Sequence, residues 1–216
     1  MALSTGGSDR AVRGWRVISP AWRACLEEAW ASWRNGSLGV GAVTVDEAGR
    51  VVTRGRNREG EREAPPGALA GSYLAHAEIN ALAALPRRRL PGYRLLTTYA
   101  PCLLCASAII MTGLPEVEFA AEDPVMADVP GALARLPFAA SRAPRRTGPL
   151  DGPVREFAEL LPVLHLAEFR RQSRSLAACR ASRPALVRRA ERLLADGTAR
   201  FLRTASCPAA LDALTG

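Results

Sequence analysis

His76-Ala77-Glu78 and Pro101-Cys102-Leu103-Leu104-Cys105, whose first cysteine stands 26 residues on from the histidine, form the stretch whose reading decides the fold of this chain. One imidazole and two thiols are ligand types that Zn²⁺ prefers, and a zinc with three protein ligands keeps its fourth position for water. Cys102 and Cys105 stand three residues apart at the expected start of a helix, so one turn puts both sulfurs on one face. The unpaired N–H groups and the dipole at that end stabilise thiolates. Pro101 fixes the approach of the chain. In a regular helix His76 and Glu78 would point about 200° apart. They can serve one site only if His76 sits in the irregular start of its helix and Glu78 in the first turn. The loop ending at Gly71-Ser72 permits that. An expected strand over Tyr93–Thr98 joins the two helices, and a right-handed crossover sets them side by side.

Each half alone is weak. A Cys-x-x-Cys is also a redox pair or an inert couple, and a His-x-Glu means little. A structural zinc would need a fourth protein ligand. The only other histidine is His165, and Cys25, Cys179 and Cys207 sit in apolar helical or tail contexts. The residues therefore read as an open, catalytic zinc site in which Glu78 carries protons without binding the metal. A non-catalytic zinc-bearing scaffold is the alternative from another class, and it has no use for Glu78.

Outward from the site, Ser19-Pro20 is a capping serine followed by proline at the first helical position, and the helix runs to Arg34 before Asn35-Gly36. Trp22, Leu26, Trp30 and Trp33 form its apolar face, expected to pack on a sheet. Val40–Val45 and Val51–Thr53 read as a hairpin around Asp46-Glu47-Ala48-Gly49. A polar loop over Arg54–Gly71 leads into His76 and is expected to border the site. Ala75–Leu85 reads as a helix, Cys102–Met111 as another closed by Gly113, and Glu116–Phe119 as a strand. This alternation predicts an α/β fold with helices on both faces of a sheet. Val154–Arg170 reads as a helix interrupted near Pro162, and Ala185–Ala195 as an amphipathic helix stopped by Gly197. The chain divides into residues 1–170, with a loose tail over 1–14, and a helical extension over 171–216.

The five cysteines are odd in number and irregularly spaced, which excludes a disulfide framework and fits a reducing, cytoplasmic setting. No apolar run approaches the ~20 residues of a membrane span, and residues 1–8 do not read as a signal peptide. With 48% hydrophobic and 23% charged residues, wholesale disorder is excluded. The net charge of +8 comes entirely from arginine, with no lysine. Arg87-Arg88-Arg89 and Arg142 with Arg145-Arg146 lack interleaved aromatics, so they read as solvated surface, with a nucleic-acid footprint as the alternative.

The order H-x-E…P-C-x-x-C is the signature of zinc deaminases of nucleobases. From about Ala21 to Arg170 the chain resembles the cytidine deaminase-like superfamily, in the branch of tRNA adenosine, guanine and nucleoside deaminases. The matching stretches are Val40-Gly41-Ala42-Val43-Thr44-Val45, Gly55-Arg56-Asn57-Arg58, His76-Ala77-Glu78-Ile79-Asn80-Ala81-Leu82 and Pro101-Cys102-Leu103-Leu104-Cys105-Ala106. The resemblance implies a three-layer α/β/α fold around a five-stranded mixed sheet, zinc on His76, Cys102 and Cys105, and Glu78 as proton shuttle. It also implies Asn57 as a substrate hydrogen-bonding residue, backbone groups near Ala42, Ala77 and Pro101 around the base, and a homodimer. Ala100 stands where many relatives have a polar residue, and Leu104 where those acting on tRNA often have methionine. The expected activity is hydrolytic deamination of a free nucleobase or nucleoside, a purine before a pyrimidine, with a tRNA adenosine deaminase as the alternative.

Overall fold

A computed structural model of the chain describes residues 15–86 and 91–215. The expected tail over 1–14 and the Arg87-Arg88-Arg89 cluster lie outside them. Helix α1, Pro20–Arg34, starts as its sequence dictates: the Ser19 hydroxyl accepts from Trp22 N at 3.3 Å, and Asn35 and Gly36 end it. Strands β1 (Gly41–Val45), β2 (Val51–Arg56), β3 (Arg94–Tyr99), β4 (Glu116–Ala121) and β5 (Arg145–Thr147) form one sheet in the order β2-β1-β3-β4-β5. β1 is antiparallel to β2 and β3, whereas β3, β4 and β5 run parallel, so the sheet is mixed. Helices α2 (Ala77–Ala83) and α3 (Leu103–Thr112) follow β2 and β3.

Two glycines fix the layers. A Cβ on Gly41 would lie 2.2 Å from Cys25 O and 2.4 Å from Ala29 N, so α1 lies directly on β1. A Cβ on Gly55 would lie 2.3 Å from Ala77 O and 2.3 Å from Ala81 N, so α2 lies directly on β2. Gly41 pairs with Arg56, and Gly55 pairs with the next residue, Ala42. Adjacent residues of a strand face opposite ways, so α1 and α2 cover opposite faces. The result is the three-layer α/β/α arrangement with five strands.

Several boundaries differ from expectation. β2 continues to Arg56, and the loop into the site starts at Asn57, because Arg54, Gly55 and Arg56 still pair with β1. Helices α4 (Val129–Ala134) and α5 (Pro137–Ala140) and strand β5 carry no strong period and were not expected. Helix α6, Gly152–Phe169, is not interrupted: Pro162 sits inside a continuous helix. Proline removes one N–H donor there, and burial of nearly every residue from Phe157 to Ala167 holds the helix through it.

The tryptophan face of α1 also divides. Trp22 joins the core under the sheet, whereas Leu26, Trp30 and Trp33 join a second core with α6 and the C-terminal helices. These are α7 (Arg174–Ser182), α8 (Pro184–Ala195), α9 (Thr198–Leu202) and α10 (Cys207–Thr215). The Trp30 ring stacks 5.1 Å from Trp33 and 5.7 Å from Phe157, and its indole N–H donates to Ala205 O at 3.2 Å. Leu176, Val187, Leu202, Leu211 and Leu214 complete this core. Sequence periodicity marks a face as apolar but does not say which layer will cover it. Among the described residues no helix is long and apolar enough to cross a membrane.

Gly55→Ala is expected to lower stability by about 1–3 kcal/mol, because the new Cβ would meet helix backbone that cannot rotate away; denaturant unfolding of zinc-loaded protein measures it. His165, buried in α6, is held down to about 4 by burial and by Arg170 and Arg203. The unfolded chain takes up that proton near 6.5, so stability is present above that pH and is lost as the pH falls towards 4. His165→Leu is expected to shrink the stability difference between pH 7 and pH 4.5 by about 2–3 kcal/mol relative to wild type. An unchanged difference would remove this histidine from the account of acid sensitivity.

Candidate metal centre and active-site cleft

His76 and Cys102 are the N-cap residues of α2 and α3, both in extended backbone (φ −72°, ψ 154° and φ −68°, ψ 177°). That is the irregular start the His-x-Glu spacing requires, with Glu78 in the first turn of α2. His76 Nδ1 lies 3.5 Å from Cys102 Sγ and 3.4 Å from Cys105 Sγ, and all three ligand atoms lie within 4.8 Å of one another. Zinc bonds of about 2.0 Å to nitrogen and 2.3 Å to sulfur, opened to a tetrahedral angle, separate the two ligand atoms by about 3.5 Å. The donor set and its spacing therefore fit Zn²⁺. Among the described residues this is the group of His, Cys, Asp and Glu side chains spaced to hold a metal ion.

The site's electrostatics are strongly coupled. The hydrogen bond from the Cys105 thiol, with the His76 ring beside it, pulls Cys102 down to about 4. The same bond, followed by burial, pushes Cys105 far up. Cys102 also raises His76, against the effect of burial. Glu78, 4% exposed, is raised by burial and then by the Cys102 charge, so its carboxyl holds a proton more readily than an exposed one. The Thr97 hydroxyl donates to Glu78 Oε1 at 3.3 Å.

The packing of α2 positions this set. Beyond the contact at Gly55, Thr53 Oγ1 donates to Ala81 O at 2.9 Å. Asn80, buried in α2, donates to Arg56 O at 3.0 Å and Leu69 O at 3.1 Å and accepts from Leu69 N at 2.8 Å. It ties the 57–71 loop to the helix carrying Glu78. Within that loop Glu61 receives Arg56 and Arg58, and Arg58 N donates to Ala75 O at 2.9 Å, next to the metal ligand.

The cleft over the centre has an inner cavity of about 50 Å³ at the carboxyl ends of the parallel strands, where open α/β sheets place ligands. Asn57, Ala77 and Glu78 line it, with Ala100 and Cys102 on either side of Pro101. Asn57 is 2% exposed; its Oδ1 accepts from Glu59 N at 3.1 Å and Leu38 N at 3.5 Å. Among the described residues no protein acceptor takes up its Nδ2. Ala42 is not among the lining residues. It lies inside the sheet between Gly55 and Thr97, and Leu38 and Val40, just before β1, take the cleft side. Tyr99, at the end of β3, and Asp123, just past β4, also line the cavity, and neither was singled out from sequence. Their place after hydrophobic strands was the available signal. Thr97 was missed as well, because a buried hydroxyl in a strand has no pattern of its own.

Comparison with known proteins agrees with this geometry. Residues 18–121 match the family model of the cytidine and deoxycytidylate deaminase zinc-binding region. A tRNA-specific adenosine deaminase of Agrobacterium fabrum (strain C58) is 36% identical over 103 residues, 46% of this chain and 62% of that protein. A structure solved in a study of A-to-I editing by tRNA:A34 deaminases at the wobble position is 29% identical, with a TM-score of 0.50 over 59% of this chain and 95% of that one. NE0047 in complex with 2,6-diaminopurine is 25% identical, with a TM-score of 0.50 over 68% of this chain and 80% of that one. The chain spans only 60% to 64% of the length of three curated relatives it matches. The centre is a zinc site.

Metal analysis of purified protein is expected to find one zinc per chain, and Cys105→Ser to lose at least nine-tenths of it. Full zinc in that variant would mean that another side chain completes the coordination.

Proposed function

Residues 18–121 belong to the cytidine deaminase-like superfamily, and on that premise we propose that the chain is a zinc-dependent hydrolytic deaminase of a nucleobase or nucleoside, a purine before a pyrimidine. The observation that carries the reading is the pairing of the His76–Cys102–Cys105 triangle with Glu78, a buried carboxyl in the same cavity but outside the ligand group. The purine preference draws on the adenosine deaminase relatives and on the 2,6-diaminopurine complex.

In this reading His76, Cys102 and Cys105 hold the ion, and two thiolates balance its double charge, which suits an uncharged ring. Bound Zn²⁺ would supply a Lewis acid that lowers the pKa of a water to about 7. Glu78 takes a proton from the attacking water and places it on the ring nitrogen next to the amino-bearing carbon. A second proton passes through Glu78 to the departing nitrogen, so water and amine become oxo product and ammonia. Burial favours this role because it raises the carboxyl towards the pH at which it both takes and gives a proton. Thr97 holds one carboxyl oxygen in place. Asn57 donates from Nδ2 to an acceptor on the ring, and the backbone from Ala77 and around Pro101 edges the base.

The same reading makes the enzyme cytoplasmic and homodimeric. Five free cysteines suit a reducing compartment. Leu103, Leu104 and Met111 expose apolar surface on α3 that a second copy would cover. The alternative, a tRNA-specific adenosine deaminase, is favoured by the sequence relatives. It needs free cations for phosphates, yet Arg145 pairs with Glu116 at 2.6 Å and the Arg146 guanidinium lies 4.9 Å over the Phe119 ring.

Glu78→Ala is expected to keep its zinc and to lower ammonia release from the preferred substrate roughly 10²–10⁴-fold or more. Near-normal turnover with full zinc would sink the assignment. Screening adenine, guanine, cytosine, their nucleosides and an anticodon stem-loop identifies the substrate, and a steep loss of binding with salt would mark the RNA reading.

A further inference from the structure

The family match ends at Ala121, but the walls of the cleft do not. Outside the inner cavity, and continuous with it through Leu38, His76, Tyr99, Cys102 and Asp123, lies an outer cleft of about 220 Å³. Its far wall comes from the C-terminal helices: Pro162 and Leu166 in the second half of α6, Arg170 just past its end, and Ser175 and Cys179 on α7. The core on Trp30 and Trp33 fixes that wall, because Leu176 and Cys179 of α7 are buried in it. A ring seated at Glu78 would therefore carry any substituent outwards between the 57–75 loop and α6–α7.

The chemistry of this outer space is selective. Among the described residues lining it the one arginine, Arg170, is paired with Glu59 across the cleft and lies 5.9 Å from the Tyr73 ring centroid, so its charge already has a partner. Asp123 adds a carboxylate, held by Val125 N at 2.8 Å on Oδ1. Ser175 adds a half-buried hydroxyl that has no hydrogen-bond partner among the described residues. A carboxylate accepts hydrogen bonds from hydroxyl groups, and serine both gives and accepts them. A phosphate carries only acceptor oxygens and negative charge, and here it would be desolvated against Asp123. Arg183, whose charge reaches Asp123, does not line the cleft and is engaged by Glu122 O at 3.0 Å and Glu159 at 3.7 Å.

We infer that α6 and α7 build a subsite for the uncharged sugar of a nucleoside, in which Ser175 and Asp123 engage its hydroxyls and phosphorylated substrates are rejected. This rests on the deaminase reading of the inner site and extends it to the substrate class. It makes the C-terminal helices, which lie beyond the family match, the specificity wall of the enzyme.

The test uses zinc-loaded full-length protein and ligands without an amino group, so that binding is read without turnover: free purine, purine riboside and purine riboside 5′-monophosphate, by titration calorimetry. Wild type is expected to bind the riboside at least tenfold more tightly than the monophosphate. Ser175→Trp, which fills the outer cleft, is expected to lower the riboside-to-purine affinity ratio at least tenfold. Ser175→Arg, which supplies the missing cation, is expected to narrow the discrimination against the monophosphate at least fivefold, and it carries the test if the tryptophan variant does not fold. Equal weakening of purine and riboside by Ser175→Trp, a monophosphate bound as tightly as the riboside, or no binding of any of the three overturns the inference. A failure of the deaminase reading looks different: the riboside pattern holds, yet zinc-loaded wild type releases no ammonia from any amino-substituted base or nucleoside.

Discussion

The structure depends on two helix starts being held close enough for one imidazole and two thiols to share an ion. His76 and Cys102 sit at the first positions of α2 and α3, where the backbone is still extended. There unpaired N–H groups favour negative sulfur. Neither helix could supply the ligand set alone. Their spacing is set from below by the sheet: the backbone of α2 lies against Gly55 of β2, and α3 follows β3 through a tight connection at Ala100-Pro101. Ala100 N donates to Ala121 O at 2.7 Å, which ties that connection to the end of β4. The lack of a side chain at Gly55 is thus as much a part of the metal centre as the ligands.

A second set of contacts turns this centre into a cleft. Asn80 spends all three of its described side-chain hydrogen bonds on the strand end and loop before the histidine. Ser32 Oγ, from α1 on the opposite face, donates to Asn57 O at 2.8 Å and accepts from Gly39 N at 3.1 Å. Asn57 is therefore held by α1 through its carbonyl and by the chain at Leu38 and Glu59 through its Oδ1, while its amide N–H₂ has no partner among the described residues. Buried polar side chains that satisfy backbone groups in this way fix geometry, because breaking any one of the bonds leaves an unpaired group out of water.

Charge is distributed to the same end. The chain has a net charge of +8 and only arginine as its strong base. Around the cleft guanidinium groups nonetheless have carboxylate partners: Arg56 and Arg58 share Glu61, Arg170 pairs with Glu59, and Arg183 lies 3.7 Å from Glu159. Overall charge, which governs long-range attraction, is a poor guide to a site whose cations are already taken.

Much of the metal centre was legible in the sequence, because metal chemistry restricts residue types and spacings tightly. His76, Cys102, Cys105 and Glu78 could be read together, and the need for His76 to precede the regular helix followed from helical geometry alone. The cap at Ser19-Pro20 and the stop at Gly113 were equally local and equally readable. Tertiary structure decided what depends on layers meeting. It turned Trp30 and Trp33 from the sheet towards the C-terminal helices, continued α6 through Pro162, placed Ala42 inside the sheet with Leu38 and Val40 at the cleft, and brought Asp123 and Ser175 to one wall. A local pattern reports what a residue can do within a turn or two of chain; which distant surface it meets is fixed only when the layers close, and the substrate's surroundings are made of such meetings.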